Sequence, residues 1–449
     1  MTTSNKKYFY IGGVVGVALL AFLVHYWYTH RTDDDAKHKS LHALEHAVKH
    51  KLRHLHVDYL LRNPKFFMYR NKLLRNYKPQ PYDDPTVIWD IVNWWPNEND
   101  IYPQYDSTMG QLLLTLKNET ITKAKLTPKG TQLKLLLKLS SIQKVIFKPQ
   151  HYNRDDIIEG PIYSGKDRHN SEIYSFYLGA VLDLRWTPIA VGRRINLEEI
   201  YKVADSTLKK YFILNEIENG ETSNTNNDNN NNNNENDNDN NGDNDDTKKN
   251  INYCFYGTCH FCSEDEPVCG DENNMLEGAI LFMIPGNIHK HKSPWQRTYK
   301  ETTRAEWEDN MQFCKPLKSK MQLTLLLDLI DASIFDYLIQ NGDRHHYETR
   351  DDRLILTDNA KGFGNPSKDV FDILAPLYQC CLIRKTTWDR LTVLSGGSLT
   401  DLIDRMTKND DLYPLISEKH RKGIERRLLT IYAVVEHCMD LYGEDILRS

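Results

Sequence analysis

All eight cysteines of this chain lie between Cys254 and Cys438. That crowding limits what the C-terminal half can fold into, because each bridge pins two separated points of the backbone. Whether bridges form depends on the compartment. From Tyr8 to Tyr28 the chain is almost uninterrupted apolar sequence, about the length a helix needs to cross a bilayer. Lys6 and Lys7 precede this run and Arg31-Thr32-Asp33-Asp34-Asp35 follows it. The positive-inside rule therefore keeps the short N-terminus cytosolic and sends the rest into a lumen. A cleaved signal peptide is the competing reading, although no clear small-residue cleavage site follows the run. A lumen is oxidising, so four disulfides are expected, with a connectivity that spacing alone does not give. Cys254, Cys259, Cys262 and Cys269, with His260 between them, have the spacing of a zinc knuckle, and in a cytosol zinc would be favoured. Here the luminal topology favours bridges. The adjacent Cys380 and Cys381 cannot easily pair with each other; each needs a separate partner, with Cys314 and Cys438 left over.

The span divides the chain into a cytosolic tail (1–7), a signal anchor (8–29), a luminal stem (30–84) and a large C-terminal body. On the stem, Leu41, Leu44, Val48, Leu52 and Leu55 follow a helical or short coiled-coil period, which leaves a dimer through the stem open. His38, His42, His46, His50 and His54 recur every fourth residue there, either as a solvated face or as a metal- or pH-sensitive stripe. Residues 221–250 are half asparagine, carry eight acids against two lysines and hold nothing able to anchor a core, so they read as a disordered insertion in a surface loop. They contribute −6 to the net charge of −5 and leave +1 elsewhere, so no basic field argues for nucleic acid. Asn118-Glu119-Thr120 is the one usable glycosylation sequon, since Asn365-Pro366-Ser367 carries the forbidden proline.

Within the body, Leu133–Leu139 and Lys144–Pro149 read as two strands joined at Ser140-Ser141, and Glu277–Pro285 as a third. Helices are expected over Glu172–Leu182, Gln322–Gln340, Thr386–Leu394 and Ser417–Leu441, the last with serine at its N-cap. Strands first and helices after is the order of an α+β fold with a small β-rich N-lobe, 85–285, on a larger helical C-lobe, 286–449.

Four residues suggest a common chemistry. Asp343 follows an apolar helix on a loop, and Asp358 ends the strand-like Leu354-Ile355-Leu356 ahead of Asn359, a second oxygen donor. Phosphoryl transfer needs one acid at the accepting hydroxyl and hard oxygen ligands on the metal that bridges nucleotide phosphates. Lys148 on a strand and Glu172 on the following helix match the phosphate-binding lysine and acidic partner of a kinase fold. The bland alternatives are an exposed edge lysine and an aspartate in an ordinary turn. Arg344, His345 and His346 orient the loop, with metal binding by the histidines as the other reading, and Trp89, Trp94, Trp95, Trp295 and Trp388 are either core or platforms for sugar rings.

At Gly130-Thr131-Gln132-Leu133-Lys134, Phe147-Lys148-Pro149, Asp167-Arg168-His169-Asn170-Ser171-Glu172, Cys254-Phe255-Tyr256-Gly257, Asp343-Arg344-His345-His346-Tyr347-Glu348 and Ile373-Leu374-Ala375-Pro376-Leu377-Tyr378-Gln379-Cys380-Cys381, the chain resembles a known family. It is that of the secretory-pathway kinases called family with sequence similarity 20, over about residues 85–445 outside the insertion. Asp358-Asn359-Ala360-Lys361 and Phe363-Gly364-Asn365-Pro366 look like the branch that phosphorylates xylose. Asn341-Gly342 before Asp343, and Ser171 in place of alanine, depart from the family pattern. The resemblance implies an atypical two-lobed kinase fold and ATP with Mn2+ or Mg2+; together with the apolar span it gives a Golgi enzyme, single-pass type II. Its acceptor would be xylose in the linkage glycan of proteoglycans. It implies Lys148 on the ATP phosphates, Glu172 and Asp358 as metal ligands and Asp343 as catalytic base. Disulfides would join Cys254 to Cys269, Cys259 to Cys262, Cys314 to Cys380 and Cys381 to Cys438. A secretory serine kinase, or a silent allosteric partner of one, are the alternatives.

Overall fold

The computed structural model describes residues 41–127, 130–217, 250–299 and 303–449. The apolar run 8–28, His38 and nearly all of the asparagine-rich segment lie outside them. Among the described residues no helix is long and apolar enough to cross a membrane.

The N-terminal lobe is built on a five-stranded antiparallel sheet, ordered Ile121–Leu126, Leu135–Leu139, Lys144–Pro149, Met275–Phe282 and Ala190–Asn196. Leu135, Leu137 and Leu139 alternate inward, as a half-buried strand requires, while Lys138 faces out. Behind the sheet runs the helix His169–Leu182, every residue of which is buried. It is apolar on more than one side because sheet and C-terminal helices both pack on it. Strands Phe212–Ile217 and Asn250–Phe255 form a hairpin whose last pair is Ile217 opposite Asn250, so the asparagine-rich segment leaves from a hairpin tip. An addition there costs only loop-closure entropy.

The C-terminal lobe centres on the buried helix Leu323–Ile339, with the helix Glu418–Tyr442, capped by Ser417, packed against it. Cys254–Cys269 ties adjacent strands, Cys259–Cys262 closes a small loop, and Cys314–Cys380 and Cys381–Cys438 clamp the C-terminal helices together. Neighbouring Cys380 and Cys381 serve different partners because Cys381 leaves its helix in the left-handed region, φ 42°, which turns the next side chain away.

The helix over 41–53 lies on the C-terminal lobe. Leu44 and Val48 are buried in the common core, Lys51 pairs with Asp440 at 2.5 Å, and Tyr59 stacks on Tyr432. Burying each of these aliphatic side chains is worth about 1.5–3 kcal/mol. The apolar stripe that would have driven a coiled-coil dimer is therefore spent within the chain, which corrects the expectation of a dimer through this segment. His42, His46, His50 and His54 form its solvated face.

Candidate active site

A cleft of about 200 Å³ opens between the lobes, roofed by Gly130, Thr131, Gln132 and Lys134 and floored by Asp343, Asp358 and Lys361. The roof loop is braced from outside: His260 and Phe261, inside the Cys259–Cys262 loop, donate backbone hydrogen bonds to the carbonyls of Gly130 and Thr131. The cysteine cluster thus supports the cleft.

Lys148 projects into the cleft from the third sheet strand. Its Nζ donates to Glu172 Oε1 at 2.5 Å and Asp358 Oδ1 at 3.2 Å, and lies 3.9 Å from Asp167 Oδ2. Burial works against the ammonium charge, but Glu172 first, then Asp358 and Asp167, outweigh it and hold its pKa above the ordinary lysine value. Glu172 stands in the first turn of its helix, fully enclosed. Asp358 sits at φ 51° with its carboxylate facing the opening. Lys148 holds that carboxyl down at about 2 against the opposing effect of its surroundings, so it is ionised at any physiological pH.

The floor is organised by Arg344. Its guanidinium donates to both oxygens of Asp336 at 2.5 and 2.9 Å, to the Thr357 carbonyl at 2.8 Å and to Asn359 Oδ1 at 2.7 Å. It thereby rivets the Asp343 loop to the Asp358 loop. Asn359 is buried, with its amide on Leu356 O and its oxygen on Arg344. This corrects the expectation of a second oxygen donor at that position. Upstream, Gln340 closes the Leu323–Ile339 helix at φ 59°, and Gly342 follows. A Cβ on Gly342 would stand 2.1 Å from Ile162 Cγ2, so the departure from the family pattern at this position answers a tight local approach.

Asp343 is half-buried and lines the cleft opposite the Lys148 cluster. Its neighbour His345 turns back onto it, and the His346 ring packs edge-to-face on that of His345, centroids 4.4 Å apart; among the described residues no group of three or more His, Cys, Asp or Glu is placed to hold a metal. The histidines serve the loop. Of the five tryptophans named above as core or sugar platforms, Trp89, Trp95, Trp295 and Trp388 are buried and Trp94, 88% exposed, is on the surface. Reading them as open sugar platforms is corrected for those four.

Two residues of the cleft escaped the sequence reading of roles. Asp167 lies between Lys148 and Lys361, 3.7 Å from the latter's Nζ, and Lys361 also donates to the Gly165 carbonyl. The charge pattern became visible only once the strand, helix and loop that carry it met. Glu172 and Asp358 converge on a single cation and supply hard, charged oxygens, so the donor set fits Mg2+ or Mn2+, with phosphate oxygens and water completing the sphere.

A family model described as "Golgi casein kinase, C-terminal, Fam20" matches residues 87–222 and 244–446. Over 448 residues the chain is 55% identical to a Drosophila melanogaster protein named glycosaminoglycan xylosylkinase homolog, covering 99% of this chain and 100% of that one. A solved hydra Fam20 with sugar shares 35% identity at a TM-score of 0.69, covering 80% of this chain and 97% of the other. A Golgi casein kinase with Mn/ADP bound shares 27% at 0.68, covering 86% and 89%.

Proposed function

Because the chain belongs to the Fam20 kinase family, we propose that it transfers the γ-phosphate of ATP to the 2-hydroxyl of xylose in the glycosaminoglycan–protein linkage region of proteoglycans. One observation carries this: the Lys148–Glu172–Asp358 cluster and the Asp343 carboxylate face each other across one cleft. The likeness to a xylosylkinase homolog at 55% identity, against 27% for the casein kinase, favours sugar over protein serine as acceptor.

Lys148 binds nucleotide phosphate, with Glu172 holding its Nζ in place. Glu172 and Asp358 would hold Mn2+, which when bound offsets the charge of the phosphates. Asp343 accepts the proton of the acceptor hydroxyl as its oxygen bonds to the γ-phosphorus, and the bond to ADP breaks. Mixing the protein with ATP, Mn2+ and a galactosyl-xyloside should give a disaccharide carrying one phosphate by mass spectrometry. Phosphate on casein-like peptides with none on the sugar would overturn this assignment.

The same reading places the body in the Golgi lumen behind an anchor at 8–29, with 85–285 and 286–449 as lobes. Four disulfides and an exposed Asn118, held outward because the following Glu119 is buried against Trp89, support a luminal setting. Endoglycosidase should shift the gel mobility of the full-length protein, and Asn118→Gln should abolish that shift; an unglycosylated secretory-pathway product would count against it.

A further inference from the structure

Asp343 is approached from outside its own loop by a residue that no motif contains. The Tyr299 hydroxyl donates to Asp343 Oδ1 at 2.6 Å and lies 2.8 Å from His345 Nδ1. His345 Nδ1 is itself 2.8 Å from the Asp343 carbonyl and 3.6 Å from Oδ1. The Tyr299 ring is seated edge-to-face on Tyr163, centroids 4.7 Å apart. Oδ1 is thus engaged, while Oδ2 receives no hydrogen bond from the described residues. We infer that Tyr299, with His345, is a positioning residue of the phosphoryl transfer: it occupies one oxygen of Asp343 and turns the other toward the acceptor hydroxyl.

A phenol suits this task. Burial, then the hydrogen bond to Asp343, hold Tyr299 above the ordinary tyrosine value, so it remains a donor throughout the working pH range. The hydrogen bond to Asp343 raises His345, which favours a proton facing the same carboxylate. Other charged groups near these three are Lys361, which faces Asp343, Lys290 beside His345, and Arg297 near Tyr299; Arg344 is turned away onto Asp336. A donor on one oxygen fixes the plane of the carboxylate, so removing the donor frees the carboxylate to rotate.

The inference rests on Asp343 being the base of the proposed reaction. Tyr299→Phe keeps the ring on Tyr163 and deletes only the hydroxyl. It should lower kcat roughly tenfold, as loss of one hydrogen bond to a charged group implies. The KM for ATP should be unchanged. His345→Gln should likewise lower kcat with the KM for ATP unchanged, and thermal melts would establish that both variants are folded. Wild-type kcat in Tyr299→Phe would overturn the positioning role. So would a gain in kcat/KM for the sugar, which would make Tyr299 a competitor of the acceptor. A wild-type protein inert toward the sugar would instead overturn the reaction assignment, so the two failures are distinguishable.

Discussion

Replacing Asp343 by asparagine should lower kcat on the galactosyl-xyloside by roughly 10²–10⁴-fold, the range ascribed to a positioned general base. The protein should remain folded. A carboxamide oxygen can still accept the Tyr299 hydroxyl, and the Asp343 backbone N–H still donates to Asn341 Oδ1, so the loop keeps its shape. ATP binding should be nearly unaffected, because Lys148, Glu172 and Asp358 hold one another independently of Asp343. The expected signature is a collapse of kcat with an almost constant KM for ATP and a wild-type melting temperature. Activity within tenfold of wild type would mean that another group takes the hydroxyl proton.

The second large effect is on stability. Asp328 and Asp331 lie fully buried on the helix Leu323–Ile339 and share Arg384. The guanidinium meets Asp328 Oδ1 closely and reaches Asp331 Oδ2 at 2.9 Å; Arg353 stands 3.3 Å from Asp328 Oδ2. Arg384→Met would leave Asp331 without the cation that pairs with it among the described residues, and breaking a buried pair from one side costs about 3–5 kcal/mol. Chemical denaturation at neutral pH should show a loss of that order. Burial, only partly offset by Arg384, pushes Asp331 up to about 6 in the folded protein. A folded carboxyl above its unfolded value binds its proton more tightly when native. Stability from this group is therefore highest below the unfolded value of about 4 and falls as pH rises through about 6. Once protonated, Asp331 needs the guanidinium less. The Arg384→Met penalty should accordingly be smaller at pH 5 than at pH 7, and a pH-independent penalty would show that packing of the arginine stem dominates.

Much of the framework was legible in the chain. Lys144–Pro149 is a strand with the expected bounds, and helices expected over Glu172–Leu182, Gln322–Gln340 and Ser417–Leu441 are found within one to three residues of those limits. These segments are long or strongly patterned, and local periodicity reports them. Ala190–Asn196 was not foreseen: its Gly192-Arg193-Arg194 core lacks alternation, and it is a strand because Met275–Phe282 offers it a free edge. Its glycine gives way to the Asp410 carboxylate, which accepts a hydrogen bond from the Gly192 N–H. The coiled-coil expectation for 41–55 read the apolar spacing correctly and misjudged its partner, since period alone does not say which surface will cover a stripe. Asn359 shows the same limit for polar groups. Its oxygen looked available for a metal until Arg344, brought in from the neighbouring loop, claimed it.

By itself the sequence singled out the groups to which the proposed chemistry is assigned: a lysine, two carboxylates around it and a loop aspartate, each tied to a short motif whose backbone setting is local. It also determined, through an even set of cysteines after an apolar run, that bridges were to be expected. Tertiary structure decided what depends on distant elements meeting. It set the Cys259–Cys262 loop against the outside of the cleft roof, placed Asp167 between two lysines, buried four of the tryptophans read as sugar platforms, and brought Tyr299 across 44 residues onto Asp343. The physical reason is range. Propensity and periodicity act over a few residues, whereas hydrogen-bond satisfaction, burial and charge pairing act between whichever surfaces the fold brings into contact.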